Sequence, residues 1–327
     1  MNRWLSDRTI THLRTVTDRP DLSGSKYRLL AALGRGGMAS VYAAEDVELG
    51  REVALKITLT LDPDGSLAER LLREARILAR LEHPGIVPVH DVGRLPDGRI
   101  FYVMKWVRGR RLDEMLPEMP ELDARLRIFE RICEAVAFAH AHGVVHRDLK
   151  PENIMAGQFG EVLVMDWGVA KVLRESDIAT AQRSTQTAQD TPFTQDGTRV
   201  GTPGFMAPEQ VRGERESVDA RTDVWGLGAI LHVLLHGSLP GGPAVSSRGT
   251  VPRPLHAVLE RALAQEPSQR YADADALAED VRRFRAGATP SAYREPLLER
   301  AGRVVWKYRT PVALVLTYVL MRLLLLF

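Results

Sequence analysis

The eight residues HRDLKPEN at 146–153 hold the densest chemistry in the chain. They set Asp148, Lys150 and Asn153 in one tight loop, directly after a helical run ending in AHG. A carboxylate at Asp148 can orient and deprotonate an attacking hydroxyl, and the Lys150 ammonium can neutralise charge on a transferring phosphoryl group. The amide oxygen of Asn153 suits a hard cation such as Mg²⁺. Downstream, VLVMDWGVAK (162–171) runs four mostly apolar residues into Asp166, which offers a second acidic ligand. Taken singly, each residue also reads as polar punctuation in a surface loop. The set in this order does not.

Two upstream features point to a phosphate site. LGRGGMASVY (33–42) puts Gly34, Gly36 and Gly37 between two strands, where backbone N–H groups can approach phosphate closely. A glycine-rich turn by itself also fits an ordinary hairpin, and Ala39 stands where a GxGxxG pattern has its third glycine. Lys56 ends the apolar strand VALKI, where an unpaired ammonium is expensive. Glu74 on the next helical run is its natural partner, and such a pair can hold the α- and β-phosphates of a nucleotide.

The elements that must position these groups follow from periodicity. YRLLAALGRGGMASVYAAEDVELGREVALKIT alternates as a three-strand meander, and IVPVHDVGRLPDGRIFYVMKWV predicts two more strands joined by a PDG turn. Between them, Leu67, Leu71, Leu78 and Leu81 recur at helical spacing, with Pro84 as the stop. From Leu112 onward helical patterns dominate. Residues 173–199 are polar and rich in Ser and Thr, with no apolar period, which predicts a mobile loop. No internal repeat is visible.

The 327 residues, 45% hydrophobic, are enough for two lobes and a substantial core. With 44 basic against 42 acidic residues, the chain lacks the concentrated basic face of a nucleic-acid binder. Cys133 is the only cysteine, which excludes an intramolecular disulfide and favours a reducing compartment; its apolar setting predicts an inert buried thiol. The N-terminus lacks the apolar core of a secretory signal. Residues 312–327 (VALVLTYVLMRLLLLF) are apolar except for Thr317, Tyr318 and Arg322, and fall just short of the ~17–25 residues of a spanning helix. Arg300, Arg303, Lys307 and Arg309 precede them, favouring a cytoplasmic N-terminal side. The expectation is a C-terminal membrane anchor, with an interfacial helix or a helix packed on protein as the alternatives.

Taken together, these motifs resemble the eukaryotic-like (Hanks-type) serine/threonine protein kinases of bacteria, over roughly Tyr27 to Arg285. The match spans the glycine loop, Lys56, Glu74, HRDLKPEN, DWG at 166–168, GTPGFMAPEQ at 201–210, Asp223 in DVWGLG and Arg270 in EPSQRY. The resemblance implies an α+β fold of two lobes, a β-rich one over 27–104 and a mainly helical one over 108–286, joined by a hinge at 105–107. A polar leader (1–26), a basic linker (287–311) and the apolar segment (312–327) flank them. ATP would lie between the lobes against Leu33, Gly34, Gly36, Gly37, Val41, Ala54, Lys56, Lys105, Val107 and Met155, with Met104 as gatekeeper. Lys56, braced by Glu74, would hold phosphates, Asp148 would be the catalytic base assisted by Lys150, and Asn153 and Asp166 would bind Mg²⁺ or Mn²⁺. Glu209 and Arg270 would form an ion pair stabilising the larger lobe, and Asp223 would brace the catalytic loop.

Lys150 and Thr202 fit the serine/threonine branch. Arg147 resembles the arginine of members switched by activation-loop phosphorylation, with Thr191, Thr194 and Thr198 as candidate acceptors and dimerisation as the route to trans-autophosphorylation. A plain low-complexity loop is the competing reading. Three departures from the family pattern stand out. Ala39 replaces a glycine. Trp167 replaces a phenylalanine and is expected to modify packing under the regulatory helix near Leu78, not to damage catalysis. Between His236 and His256 the family usually inserts a substrate-docking helix that is missing here. The expected function is transfer of the ATP γ-phosphoryl group to protein Ser/Thr hydroxyls at the inner face of the cell membrane. A nucleotide-binding pseudokinase scaffold and a small-molecule kinase are the alternatives.

Overall fold

A computed structural model of the chain describes residues 19–36, 39–59, 65–119, 121–167, 171–172, 204–214, 217–240 and 251–296, with 317 and 321 as isolated helical positions. The N-terminal region is a five-stranded antiparallel sheet in the order β1-β2-β3-β5-β4. Its strands are β1 (Tyr27–Arg35), β2 (Ala39–Asp46), β3 (Arg51–Thr58), β4 (Val89–Arg94) and β5 (Ile100–Lys105). One helix, α1 (Ser66–Arg80), lies between β3 and β4 in sequence.

Side chains alternate across a strand, so β3 feeds two cores at once. Val53, Leu55 and Ile57 join Phe101 and Val103 in a small outer cluster. The other face of β3 carries Ala54 and Lys56, the first of which belongs to the main core with Tyr102 and Met104. The register sets Ala54 opposite Met104 and Lys56 opposite Tyr102. On α1 the buried positions are Leu71, Glu74, Ala75, Ile77 and Leu78, one helical stripe that includes a carboxylate. The helix ends at Arg80, short of Pro84, with the Leu81 N–H donating to the Leu78 carbonyl at 3.1 Å. The turn at 95–99 is closed by Gly98 at φ 90.

The C-terminal region is mainly helical: α2 (Leu112–Met115), α3 (Leu122–Ala141), α4 (Pro208–Val211), α5 (Ala220–His236), α6 (Arg253–Ala262) and α7 (Ala274–Arg285). Short strands β6 (Gly109–Arg111), β8 (Ile154–Gly157) and β9 (Val162–Val164) form a three-stranded sheet, and β7 (Val144–Val145) pairs with β10 (Lys171–Val172). Helix α5 is buried along most of its circumference, from Thr222 and Asp223 to Leu235. It starts on the Asp219 carboxylate, which accepts from the Arg221 N–H, and stops at Gly237 in the left-handed conformation. Cys133, in α3, is fully buried, and burial pushes its thiol pKa well up, as an inert thiol requires.

An Ile86–Val164 bridge ties the segment entering β4 to the C-terminal region. The described chain leaves α5 at His236 and re-enters a helix at Arg253; residues 241–250, where the docking helix was expected to be missing, lie outside the described residues. So do the leader up to residue 18 and nearly all of the apolar C-terminal segment. Among the described residues no helix is long and apolar enough to cross a membrane.

Candidate active site

The face of β3 that carries Lys56 meets the stripe of α1 that carries Glu74. Lys56 Nζ lies 2.7 and 2.9 Å from the two Glu74 carboxylate oxygens and 3.1 Å from Asp166 Oδ1. Burial by itself would lower the Lys56 pKa, but the Glu74 and Asp166 carboxylates beside it raise it well beyond its ordinary value. The ammonium is therefore permanently charged. Tyr102 was not singled out in the sequence: its hydroxyl donates to Glu74 Oε1 at 2.9 Å, and burial keeps that hydroxyl protonated. A carboxylate on an apolar helical stripe is the signal that a second donor was needed.

Asp166 sits in the left-handed region at φ 56, a strained conformation for a residue with a Cβ. Partial desolvation raises its pKa, yet Lys56, His146 and Lys150 together outweigh that and hold it below the usual aspartate value. Its neighbour Trp167 is 1% exposed and belongs to the same core cluster as Leu78. The indole N–H, which needs a partner when buried, donates to the Val164 carbonyl at 3.2 Å, and the ring lies 4.6 Å from that of His146. Trp167→Phe is expected to cost about 1–2 kcal/mol through the lost bond and smaller ring, with activity within a few-fold. Urea unfolding with steady-state kinetics checks this, and an activity rise of orders of magnitude would count against a packing role.

In the 146–153 loop, Asp148 Oδ2 receives Lys150 Nζ at 3.0 Å and Asn153 Nδ2 at 3.2 Å. Asn153 Nδ2 also donates to the Asp148 carbonyl at 2.8 Å. His146 Nε2 lies 2.9 Å from the Met165 carbonyl, while its Nδ1 lies 3.3 Å from the Asp148 N–H. Both contacts are satisfied by the tautomer protonated at Nε2. Beneath the loop, Asp223 of α5 accepts from the His146 and Arg147 N–H groups, each at 2.8 Å. His140 Nε2 stands 2.9 Å from the same carboxylate, a contact that the AHAHG stretch hints at only by its histidine content. Burial alone would raise the Asp223 pKa; the bonds from His140 and the Arg147 N–H, with the nearby His146, hold it low.

Most of the apolar residues expected around a nucleotide base belong to the main core or pack against it. Ala54, Met104 and Val107 belong to the main core, with Val41 and Met155 packed against it. Lys105 ends β5. Leu33 is an exposed residue of β1, Gly34 has open space where a Cβ would stand, and the Gly36 N–H donates to the Ala39 carbonyl at 2.8 Å. Gly37 lies outside the described residues, as do Thr191, Thr194, Thr198 and Thr202.

The donor set fits a hard divalent cation. Asn153 Oδ1 and Asp166 Oδ2 are oxygens that the hydrogen bonds above leave uncommitted. Among the described residues no three His, Cys, Asp or Glu side chains group to hold a metal alone. Two protein oxygens completed by phosphate and water is the usual arrangement for Mg²⁺.

Farther down, Glu209 of α4 and Arg270 form a bidentate pair, both side chains fully buried, with contacts of 2.8 and 2.8 Å. Thr222 Oγ1 donates to the same carboxylate at 3.0 Å.

A sequence model of the protein kinase domain matches residues 27–280. The serine/threonine-protein kinase PknD of Chlamydia caviae is 34% identical over 321 residues, covering 88% of this chain and 34% of that protein. The PknD of Chlamydia felis is 34% identical over 321 residues and that of Chlamydia trachomatis serovar D 33% over 327, with the same shares. The chain thus spans about a third of the length of the curated relatives it matches.

Proposed function

Because this chain belongs to the protein kinase family, of the bacterial serine/threonine type, we propose that it transfers the γ-phosphoryl group of ATP to Ser and Thr hydroxyls of proteins. One observation carries the reading: Lys56 is bonded to both Glu74 and Asp166, while Lys150 and Asn153 converge on Asp148. A scaffold that merely binds nucleotide requires no such complete set.

Each residue has a defined task. Lys56, held by Glu74, which the Tyr102 hydroxyl steadies, presents a positive charge to the phosphates. Asn153 and Asp166 would hold the divalent cation, which neutralises charge on the phosphates. Asp148, with Oδ2 engaged by Lys150 and Asn153, keeps Oδ1 for the acceptor hydroxyl and takes its proton. Lys150 stays beside the transferred group, where developing negative charge is stabilised. Arg147, adjacent to the base, supports control by phosphates at Thr191, Thr194, Thr198 or Thr202, placed by one copy on another. Residues 312–327 and the basic residues before them support a tether at the inner face of the membrane.

Incubation with labelled Mg-ATP, protein acceptors and metabolites tests the activity, with mass spectrometry locating the label. Phosphate on Ser or Thr, including sites between 176 and 202, is expected. Turnover with metabolites alone would favour a small-molecule kinase, and no turnover a pseudokinase. Vesicles of anionic lipid should retain the chain and lose it when 312–327 are removed; equal retention would refute the tether.

A further inference from the structure

Among the side chains that grip the 146–153 loop is Gln210, which none of these tasks includes. Arg147 stands at φ 74, a conformation costly for any residue with a Cβ, so the bonds around it must hold it there. Its N–H donates to Asp223 Oδ1 at 2.8 Å. The next peptide, which joins Arg147 to Asp148, is held at both ends. The Asp148 N–H reaches His146 Nδ1 at 3.3 Å, and the Arg147 carbonyl accepts from Gln210 Nε2 at 2.8 Å. Gln210 lies on α4, and its Oε1 accepts from the Ala207 N–H at 3.1 Å. These partners admit one orientation of the amide. A flip would set NH₂ against an N–H and oxygen against a carbonyl, two repulsive contacts.

We infer that Gln210 is a positioning residue that couples the end of the activation segment to the aim of the catalytic base. The plane of the 147–148 peptide sets the direction in which Asp148 leaves the backbone. Three side chains fix that neighbourhood, and two of them, Asp223 and His146, come from α5 and from the loop itself. Gln210 alone arrives from the chain that follows the polar stretch 173–203. Its reference point is firm, because the preceding residue, Glu209, is locked to Arg270 by two 2.8 Å bonds. Movement of α4 reaches the loop most directly through the Gln210–Arg147 bond, alongside the longer route from Glu209 through Thr222 to α5. A reacting group displaced by about 1 Å loses on the order of 10²-fold in rate, so one bond at this point is enough to matter.

The inference rests on the kinase reading and has a test that separates the two. Gln210→Glu preserves size and the acceptor for the Ala207 N–H, but removes the donor to the Arg147 carbonyl. In the 327-residue chain we expect kcat to fall about 10–100-fold, with KM for ATP within about twofold and Tm unchanged within a few degrees. Amide hydrogen exchange over residues 145–149 should rise about tenfold, while that over 207–211 stays as in the parent. Unchanged kcat and loop exchange would show a helix cap only and overturn the inference; so would exchange that rises equally in both segments. If the parent chain itself turns over nothing, the kinase reading fails and the exchange pattern still decides the positioning role. Should Gln210→Glu not fold, Gln210→Met must show the selective loop exchange, and loss of the fold in both overturns the proposal.

Discussion

Asp148→Asn is expected to slow phosphotransfer by about 10²–10⁴-fold while leaving nucleotide affinity within a few-fold, a barrier increase of roughly 3–5 kcal/mol. The reason lies in the surroundings of the carboxylate more than in its charge. Lys150 Nζ and Asn153 Nδ2 both donate to Oδ2, so the position they face must be an oxygen. An asparagine amide would keep its oxygen there and turn its NH₂ toward the acceptor hydroxyl. A donor would then stand where the reaction needs a proton acceptor. In the proposed reading nucleotide is held elsewhere, by Lys56 and the core residues Ala54 and Met104, so kcat and KM should separate cleanly. Labelled-ATP turnover with parallel nucleotide titration checks this. Equal turnover by the variant and its parent would remove Asp148 from the mechanism.

Arg270→Met is expected to destabilise the protein by about 3–5 kcal/mol, a large part of the ~5–15 kcal/mol typical of a folded domain. Arg270 bonds both Glu209 oxygens and also the carbonyls of Ala264 (2.8 Å), Arg221 (3.0 Å) and Gln265 (3.0 Å). Its removal leaves a buried carboxylate with Thr222 as its remaining side-chain donor. Burial raises the Glu209 pKa, but in the intact protein the hydrogen bonds from Arg270 and Thr222, with the Arg270 charge, hold it below the ordinary glutamate value. A depressed folded-state pKa contributes stability above the unfolded value of about 4.3, lost as pH falls through the folded pKa. Without Arg270, burial is opposed chiefly by the Thr222 hydrogen bond, and the carboxylate can escape its penalty by taking a proton. The stability gap between variant and parent should therefore narrow between pH 7 and pH 5. Urea unfolding at both values measures it, and Glu209→Gln/Arg270→Met should be milder than Arg270→Met alone. A pH-independent gap would mean that the loss comes from packing instead.

The contacts on Asp148 were legible because Lys150 and Asn153 lie within five residues of it in one tight loop. The Lys56–Glu74 pair was also legible, because two charged residues on apolar faces of adjacent elements have few ways to be satisfied. The α+β architecture followed from alternation in the five strands and helical spacing at Leu71 and Leu78. The end of α1 was read less well, since Pro84 forbids continuation without requiring the helix to reach it. Tyr102, His140 and Gln210 gave almost no signal. Each acts through a bond to a residue 28, 83 or 63 positions away, and local periodicity says nothing about such partners.

Residue order by itself pointed to the groups proposed to meet phosphate, metal and acceptor, because most of them sit in short contiguous stretches. Only the tertiary structure decided how they are aimed. The left-handed turns at Arg147 and Asp166 and the grip of Asp223 and Gln210 on the loop depend on packing between distant elements. Hydrogen-bond direction at a strained peptide is a property of the assembled core, and no spacing in the chain encodes it.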